Sequence, residues 1–197
     1  MKKNKFKNYK EYIDYQIKRS KKTKNMTIKR ELRREFVYER MVELGIEKGS
    51  ILCIGARDDS EVVFFEKKGL ESEGIDLYKT DKIIKCDMSR MLRHSYLKDK
   101  KYDIIYASEV LEHCLDIEGL IKGLNQICKG YFICMGPSSK KIDSRSKWDC
   151  SIHDFMKEFE NEESLKKSLE NTFTEFKVIV GEIYKKGGKI FFIMEKK

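Results

Sequence analysis

A doubly wound, mostly parallel α/β sheet with an antiparallel last strand is the fold class this sequence predicts, with helices added at its N-terminus. Two observations carry the expectation. From Ser50 onward, short apolar runs alternate with helical stretches, the pattern of parallel strands joined by crossover helices. Near the end, two strand-like runs are separated by Lys185-Lys186-Gly187-Gly188, and a Gly-Gly between such runs marks a hairpin.

The elements follow in order. Over 1–48, apolar residues recur at three- to five-residue spacings (Tyr9, Tyr12, Ile13, Ile17, then Ile28, Leu32, Phe36, Met41, Leu44), which predicts two amphipathic helices split around Ser20 to Asn25. This basic segment, 1–48, is expected to lid or flank the sheet. Gly45 and Gly49 bracket a turn, and 49–197 forms the main domain. Its strands are expected at Ile51–Ile54, Gly74–Leu77, Ile83–Ile84, Tyr102–Ala107 and Tyr131–Met135, with helices at about 59–69, 89–97, 116–129 and 161–171. Phe176 to Tyr184 and Lys189 to Met194 form the closing hairpin.

A chain of 197 residues has the usual size of one domain. Its apolar runs are too short for a bilayer span, and the start, Met1-Lys2-Lys3-Asn4-Lys5, leads into polar residues instead of a signal-peptide core. Six cysteines without CxxC spacing, several inside apolar runs, read as buried thiols of a cytoplasmic protein. Residues 1–34 hold 14 Lys or Arg against 3 acids, a net +11, which leaves 28 against 30, or −2, for the rest. That segment suits phosphates of RNA, a nucleotide-linked sugar or an anionic surface, or else forms a solvated helix.

In doubly wound sheets ligands lie at the carboxyl ends of the strands, where strand order reverses. Gly55 follows the first run, with Ala56 and Arg57 after it, and a glycine there lets the backbone approach a ligand. Asp76, followed by Leu77, ends the second run and is placed to accept hydrogen bonds from both hydroxyls of a ribose. Asp87 ends the third, positioned for an adenine amine, with Met88 against the ring.

The fourth run continues as Ser108-Glu109-Val110-Leu111-Glu112-His113. Together, Ile51-Leu52-Cys53-Ile54-Gly55-Ala56-Arg57, Gly74-Ile75-Asp76-Leu77, Cys86-Asp87-Met88 and this fourth run resemble a class I S-adenosylmethionine-dependent methyltransferase over roughly 50–136. The resemblance implies the seven-stranded, Rossmann-like sheet of that family, with Gly55 near the methionine moiety, Asp76 on the ribose, Asp87 and Met88 flanking adenine, and Ser108 and Glu109 lining the methionine end. The first loop departs from the family's three glycines and initial acid, reading Cys53, Gly55, Arg57 and Asp59. Arg57 could instead reach a carboxylate, that of the cofactor or of Glu61, and a cofactor-binding protein without catalysis stays open.

Glu109, Glu112 and His113 stand at i, i+3 and i+4, so a helical turn would project them from one face. Two carboxylates and an imidazole suit a divalent cation such as Mg²⁺. The EVLEH pentad resembles that of ubiquinone-pathway O-methyltransferases and small-RNA 2′-O-methyltransferases, in which it helps hold a metal, with His153 as the second histidine of the RNA group. The alternatives are His113 as a metal-free general base, suited to taking a hydroxyl proton, and a structural role. The long stretch from Gly136 to His153, with Trp148, is expected to shape the acceptor pocket. No NPPY or DPPY tetrad follows the fourth strand and no Cys-Pro pair is present, which argues against amino-methylation and pyrimidine C5 chemistry. O-methylation of a small molecule or glycan precursor is the leading expectation, and RNA ribose 2′-O-methylation the alternative.

Overall fold

The computed structural model describes residues 8–22, 27–114, 116–137, 161–184 and 189–197. Helices α1 (Tyr9–Lys22) and α2 (Thr27–Glu43) lead into β1 (Ser50–Ile54), α3 (Ser60–Lys67), β2 (Glu71–Asp76), β3 (Ile83–Lys85) and β4 (Tyr102–Ser108). Then follow α4 (Ile117–Ile127), β5 (Cys128–Pro137), α5 (Glu162–Thr172), β6 (Phe176–Tyr184) and β7 (Lys189–Lys196). The strands form one seven-stranded sheet in the order β3-β2-β1-β4-β5-β7-β6. Pairs among β1 to β5 are parallel, and β7 runs antiparallel to both β5 and β6. The predicted doubly wound sheet with its antiparallel last strand is therefore present, although the Lys185 to Gly188 link lies outside the described residues.

The central strands are buried on both faces, which is why they read as continuous apolar runs and not as alternating ones. Leu52, Ile54, Ile105, Ala107 and Phe132 face α4 and α5, packing with Leu120, Leu124, Leu165 and Leu169. Ile51, Cys53, Ile104, Tyr106 and Ile133 face the other way, against Val62 and Phe65 of α3 and Val37 and Met41 of α2. The second helix of the basic segment is thus fastened to the sheet by an i, i+4 apolar pair that is fully buried.

One expected helix is absent. The stretch predicted helical at 89–97 forms two 3₁₀ turns, Met88–Arg93 and Leu97–Asp99. Asp87 accepts from the Ser89 amide and closes a tight first turn, Arg90 leaves helical geometry, and His94 is extended. The chain order reverses between β1 and β4, and the loops after these strands face a common opening.

Candidate active site

A cavity of ≈ 250 Å³ opens at the carboxyl ends of the parallel strands. Gly55, Ala56 and Arg57 reach it after β1, Asp76 and Leu77 after β2, Asp87 and Met88 after β3, and Ser108, Glu109, Glu112 and His113 after β4. These eleven residues, named from the sequence, are brought together because parallel strands deliver successive loops to the same sheet edge. His153 and Trp148 lie outside the described residues.

The loop after β1 is held by its backbone. Gly55 adopts φ 69° and its N–H donates to the Ile75 carbonyl at 2.8 Å. Arg57 is also left-handed, at φ 55°, and its N–H donates to Asp76 Oδ2 at 3.0 Å while the Leu77 N–H donates to Oδ1 at 2.6 Å. Left-handed geometry at a non-glycine residue is costly and persists where packing over-determines it. Burial raises the Asp76 carboxyl above its usual range, a shift that the two amides and the Arg57 charge only partly offset. A half-buried carboxylate with donors on one side and the cavity on the other fits a ribose diol. Asp87 Oδ1 accepts from both the amide and the hydroxyl of Ser89, so this residue also shapes the turn that presents Met88.

The reaction end differs from the single-face arrangement expected for Glu109, Glu112 and His113. Only Leu111–His113 forms a turn, and it is 3₁₀; Glu109 precedes it at φ 53°. At three residues per turn and with Glu109 outside it, the i, i+3, i+4 face does not form. Glu109 pairs with Lys189 of β7 and lies 3.6 Å from Arg33. Glu112 turns inward, 8% exposed, and His113 Nε2 is 3.9 Å from its Oε1. Among the described residues no group of three His, Cys, Asp or Glu side chains is arranged to hold a metal ion. The expected cation set of Glu109, Glu112 and His113 is therefore not assembled by these three.

Several cavity residues were not singled out as site residues in the sequence. Tyr12 of α1 is 1% exposed and its hydroxyl lies 3.2 Å from His113 Nδ1. Arg30 and Arg33 of α2 line the same space, as do Glu61 and Tyr106. Glu61 carried a signal, an acid at the head of the apolar helical run Val62-Val63-Phe64-Phe65. The partnership of Lys189 with Glu109 carried none, because the β5 to β7 pairing creates it. The arginines acting most on Glu61 are Arg34, Arg30 and Arg33.

A family model described as a methyltransferase domain matches residues 24–172. The chain belongs to this methyltransferase family. The match takes in α2 and runs through α5. The methyltransferase fold is also that of solved structures. A protein from Pyrococcus horikoshii OT3 is 16% identical with a TM-score of 0.63, covering 96% of this chain and 100% of that one. Magnesium protoporphyrin IX methyltransferase from Synechocystis PCC 6803, solved with bound SAH, is 14% identical at TM-score 0.57, over 85% of this chain and 84% of that one. The 1,6-didemethyltoxoflavin-N1-methyltransferase of Burkholderia thailandensis, solved with S-adenosylhomocysteine, is 13% identical at TM-score 0.56, over 80% and 74%. No curated protein matches the chain. Among the described residues no helix of this methyltransferase is long and apolar enough to cross a membrane.

Proposed function

We propose that this methyltransferase uses S-adenosylmethionine to methylate a hydroxyl of a small molecule or glycan precursor, with His113 as general base. The observation that carries the reading is that one cavity, at the point where strand order reverses, holds a half-buried Asp76 carboxylate fit for a ribose and an imidazole at its reaction end. Asp76 with Leu77 would hold the ribose, Asp87 and Met88 the adenine, and the loop at Gly55 to Arg57, with Ser108 lining the same cavity, the amino-acid tail. When bound, the cofactor supplies an electrophilic methyl group on a sulfonium.

His113 has one ring nitrogen beside the Tyr12 hydroxyl and the other toward Glu112, so its orientation is set from two sides. A base within hydrogen-bond reach of an acceptor hydroxyl takes its proton as the oxygen–methyl bond forms. Within this reading 1–48 divides its work, α2 flanking the sheet and α1 acting as a lid that brings Tyr12, Ile13 and Gln16 over the cavity. The small-acceptor reading is preferred to RNA because the described arginines nearest the opening are engaged internally. Arg30 holds Asp58 at 2.9 Å and Arg33 approaches Glu109.

The test is calorimetry with S-adenosylhomocysteine on the wild type and on Asp76→Ala, followed by S-adenosylhomocysteine release on a panel of hydroxylated acceptors with and without EDTA. Tight binding that Asp76→Ala loses, and turnover that survives EDTA but not His113→Ala, are expected. No binding by either protein refutes the cofactor reading. Turnover abolished by EDTA refutes the metal-free base, and methylation of RNA in preference to small acceptors refutes the acceptor class.

A further inference from the structure

Glu61 lies in the first turn of α3 and lines the cavity beside the loop after β1. Its Oε2 is sealed from solvent and has no hydrogen-bond partner among the described residues. Three arginines of α2, Arg34, Arg30 and Arg33, act on it, with Asp58 from the loop, Cys53 from β1 and Tyr106 from β4 completing its charged and titratable surroundings. The arginines have other partners: Arg34 donates to Ser60 Oγ at 2.7 Å, Arg30 to Asp58 at 2.9 Å, and Arg33 approaches Glu109. The Tyr106 hydroxyl is likewise buried, with Ser108 beside it. Burial pushes the Glu61 carboxyl up to about 8, the arginines opposing it, which favours the neutral acid at pH 7.

A buried carboxyl group lacking a donor is a standing penalty unless a ligand meets it. Of the other carboxylates lining or flanking this side, Asp58 is met by Ser60 and Arg30 and Glu109 by Lys189, while Glu112 stands at the opposite end beside His113. Asp76 and Asp87 mark the nucleoside end of the cavity and His113 the reacting end, which leaves the α2 and α3 side for the remaining part of the ligand. Resting on the cofactor reading above, we infer that Glu61 is the residue that receives the α-ammonium of the cofactor's amino-acid tail. Binding then converts the carboxylic acid to a carboxylate paired with the ammonium, and the proton leaves to solvent.

The experiment is calorimetry at pH 7 with two ligands, S-adenosylhomocysteine and its analogue in which hydrogen replaces the α-amino group, each in phosphate and in Tris. The difference between buffers counts the protons released. The wild type is expected to prefer the amino ligand by at least tenfold and to release close to one more proton with it than with the analogue. Glu61→Gln should bind the analogue as the wild type does and lose both the preference and the extra proton. Asp76 titration contributes equally to both ligands and cancels. Equal affinity of the wild type for the two ligands, or a preference that Glu61→Gln retains, overturns the assignment while leaving the cofactor reading intact. Failure of the wild type to bind either ligand overturns the cofactor reading itself. The wild-type comparison stands on its own should the variant fold poorly.

Discussion

Gly55→Ala tests whether the loop after β1 is set by close packing and not by composition alone. A Cβ built at this glycine lies 2.2 Å from Val110 Cγ2 and 2.8 Å from Val110 Cβ, on a backbone with φ +69°. The left-handed conformation costs about 1–2 kcal/mol for a residue with a Cβ. Overpacking against Val110, whose Cβ is fixed to the backbone, adds about 1–3 kcal/mol, for a total of roughly 2–5 kcal/mol. At about 2–4 °C per kcal/mol for a domain of this size, the midpoint of thermal unfolding falls by roughly 4–20 °C. Val110→Ala alone removes about two methylene equivalents, or roughly 1.6 kcal/mol. In the double variant the steric part is relieved and only the backbone part remains, so a urea-unfolding cycle of the four proteins should show a coupling of about 1–3 kcal/mol. A Gly55→Ala variant within 0.5 kcal/mol of wild type, by the usual scatter of exposed substitutions at roughly that size, or strict additivity in the cycle, would refute the reasoning.

Tyr12→Phe keeps the buried ring of α1 that lines the cavity and removes the hydroxyl beside His113 Nδ1. Loss of one hydrogen bond, about 0.5–1.5 kcal/mol, should lower kcat roughly threefold to tenfold with KM nearly unchanged, and an unaltered kcat would show that the contact does not orient the base. Asp103 accepts from the Ser50 amide and hydroxyl and pairs with Lys129 at 2.7 Å, and although burial opposes ionisation these groups bring its carboxyl down to about 2. A depressed folded value contributes stability that is present above the unfolded value near 4 and lost as pH falls through about 2. Asp103→Asn should therefore cost about 1 kcal/mol at pH 7, after allowing for solvent screening, and progressively less toward pH 2, measured by urea unfolding. Burial pushes the thiols of Cys114 and Cys128 up to about 12 and that of Cys86 up to about 11, and drives Cys53 and Cys134 well above the ordinary range. Site-resolved alkylation at pH 8 should leave these five unmodified in the folded protein and label them in urea. Modification of any of them under native conditions counts against its burial.

Much of the sheet was legible because burial on both faces writes itself into the chain. Ile51 to Ile54 and Tyr102 to Ala107 are apolar at nearly every position, and each is followed directly by a residue that reaches the cavity, Gly55 and Ser108. The 89–97 stretch misled for a local reason, since its apolar spacing is helical but the Asp87 cap and the extended His94 break it into short turns. The pentad from Glu109 to His113 misled for a tertiary reason. Helical spacing presumes a helix, but the Glu109 amide donates to the Met135 carbonyl of β5, its side chain pairs with Lys189, and the residue stands left-handed outside the turn.

The sequence by itself determined which segments become strands, which loops sit at their carboxyl ends, and so the positions of Gly55, Asp76, Asp87 and His113 around one opening. Those are consequences of periodicity and of turn residues, which act over a few neighbours. Only the tertiary structure decided that Lys189 meets Glu109 across 80 residues, that Tyr12 meets His113 across 101, and that Glu61 stands half-buried among the arginines of α2 with its Oε2 sealed and without a donor. The physical reason is that burial and charge environment depend on which elements pack together, and strand order and helix docking leave no local trace in the residues they bring into contact.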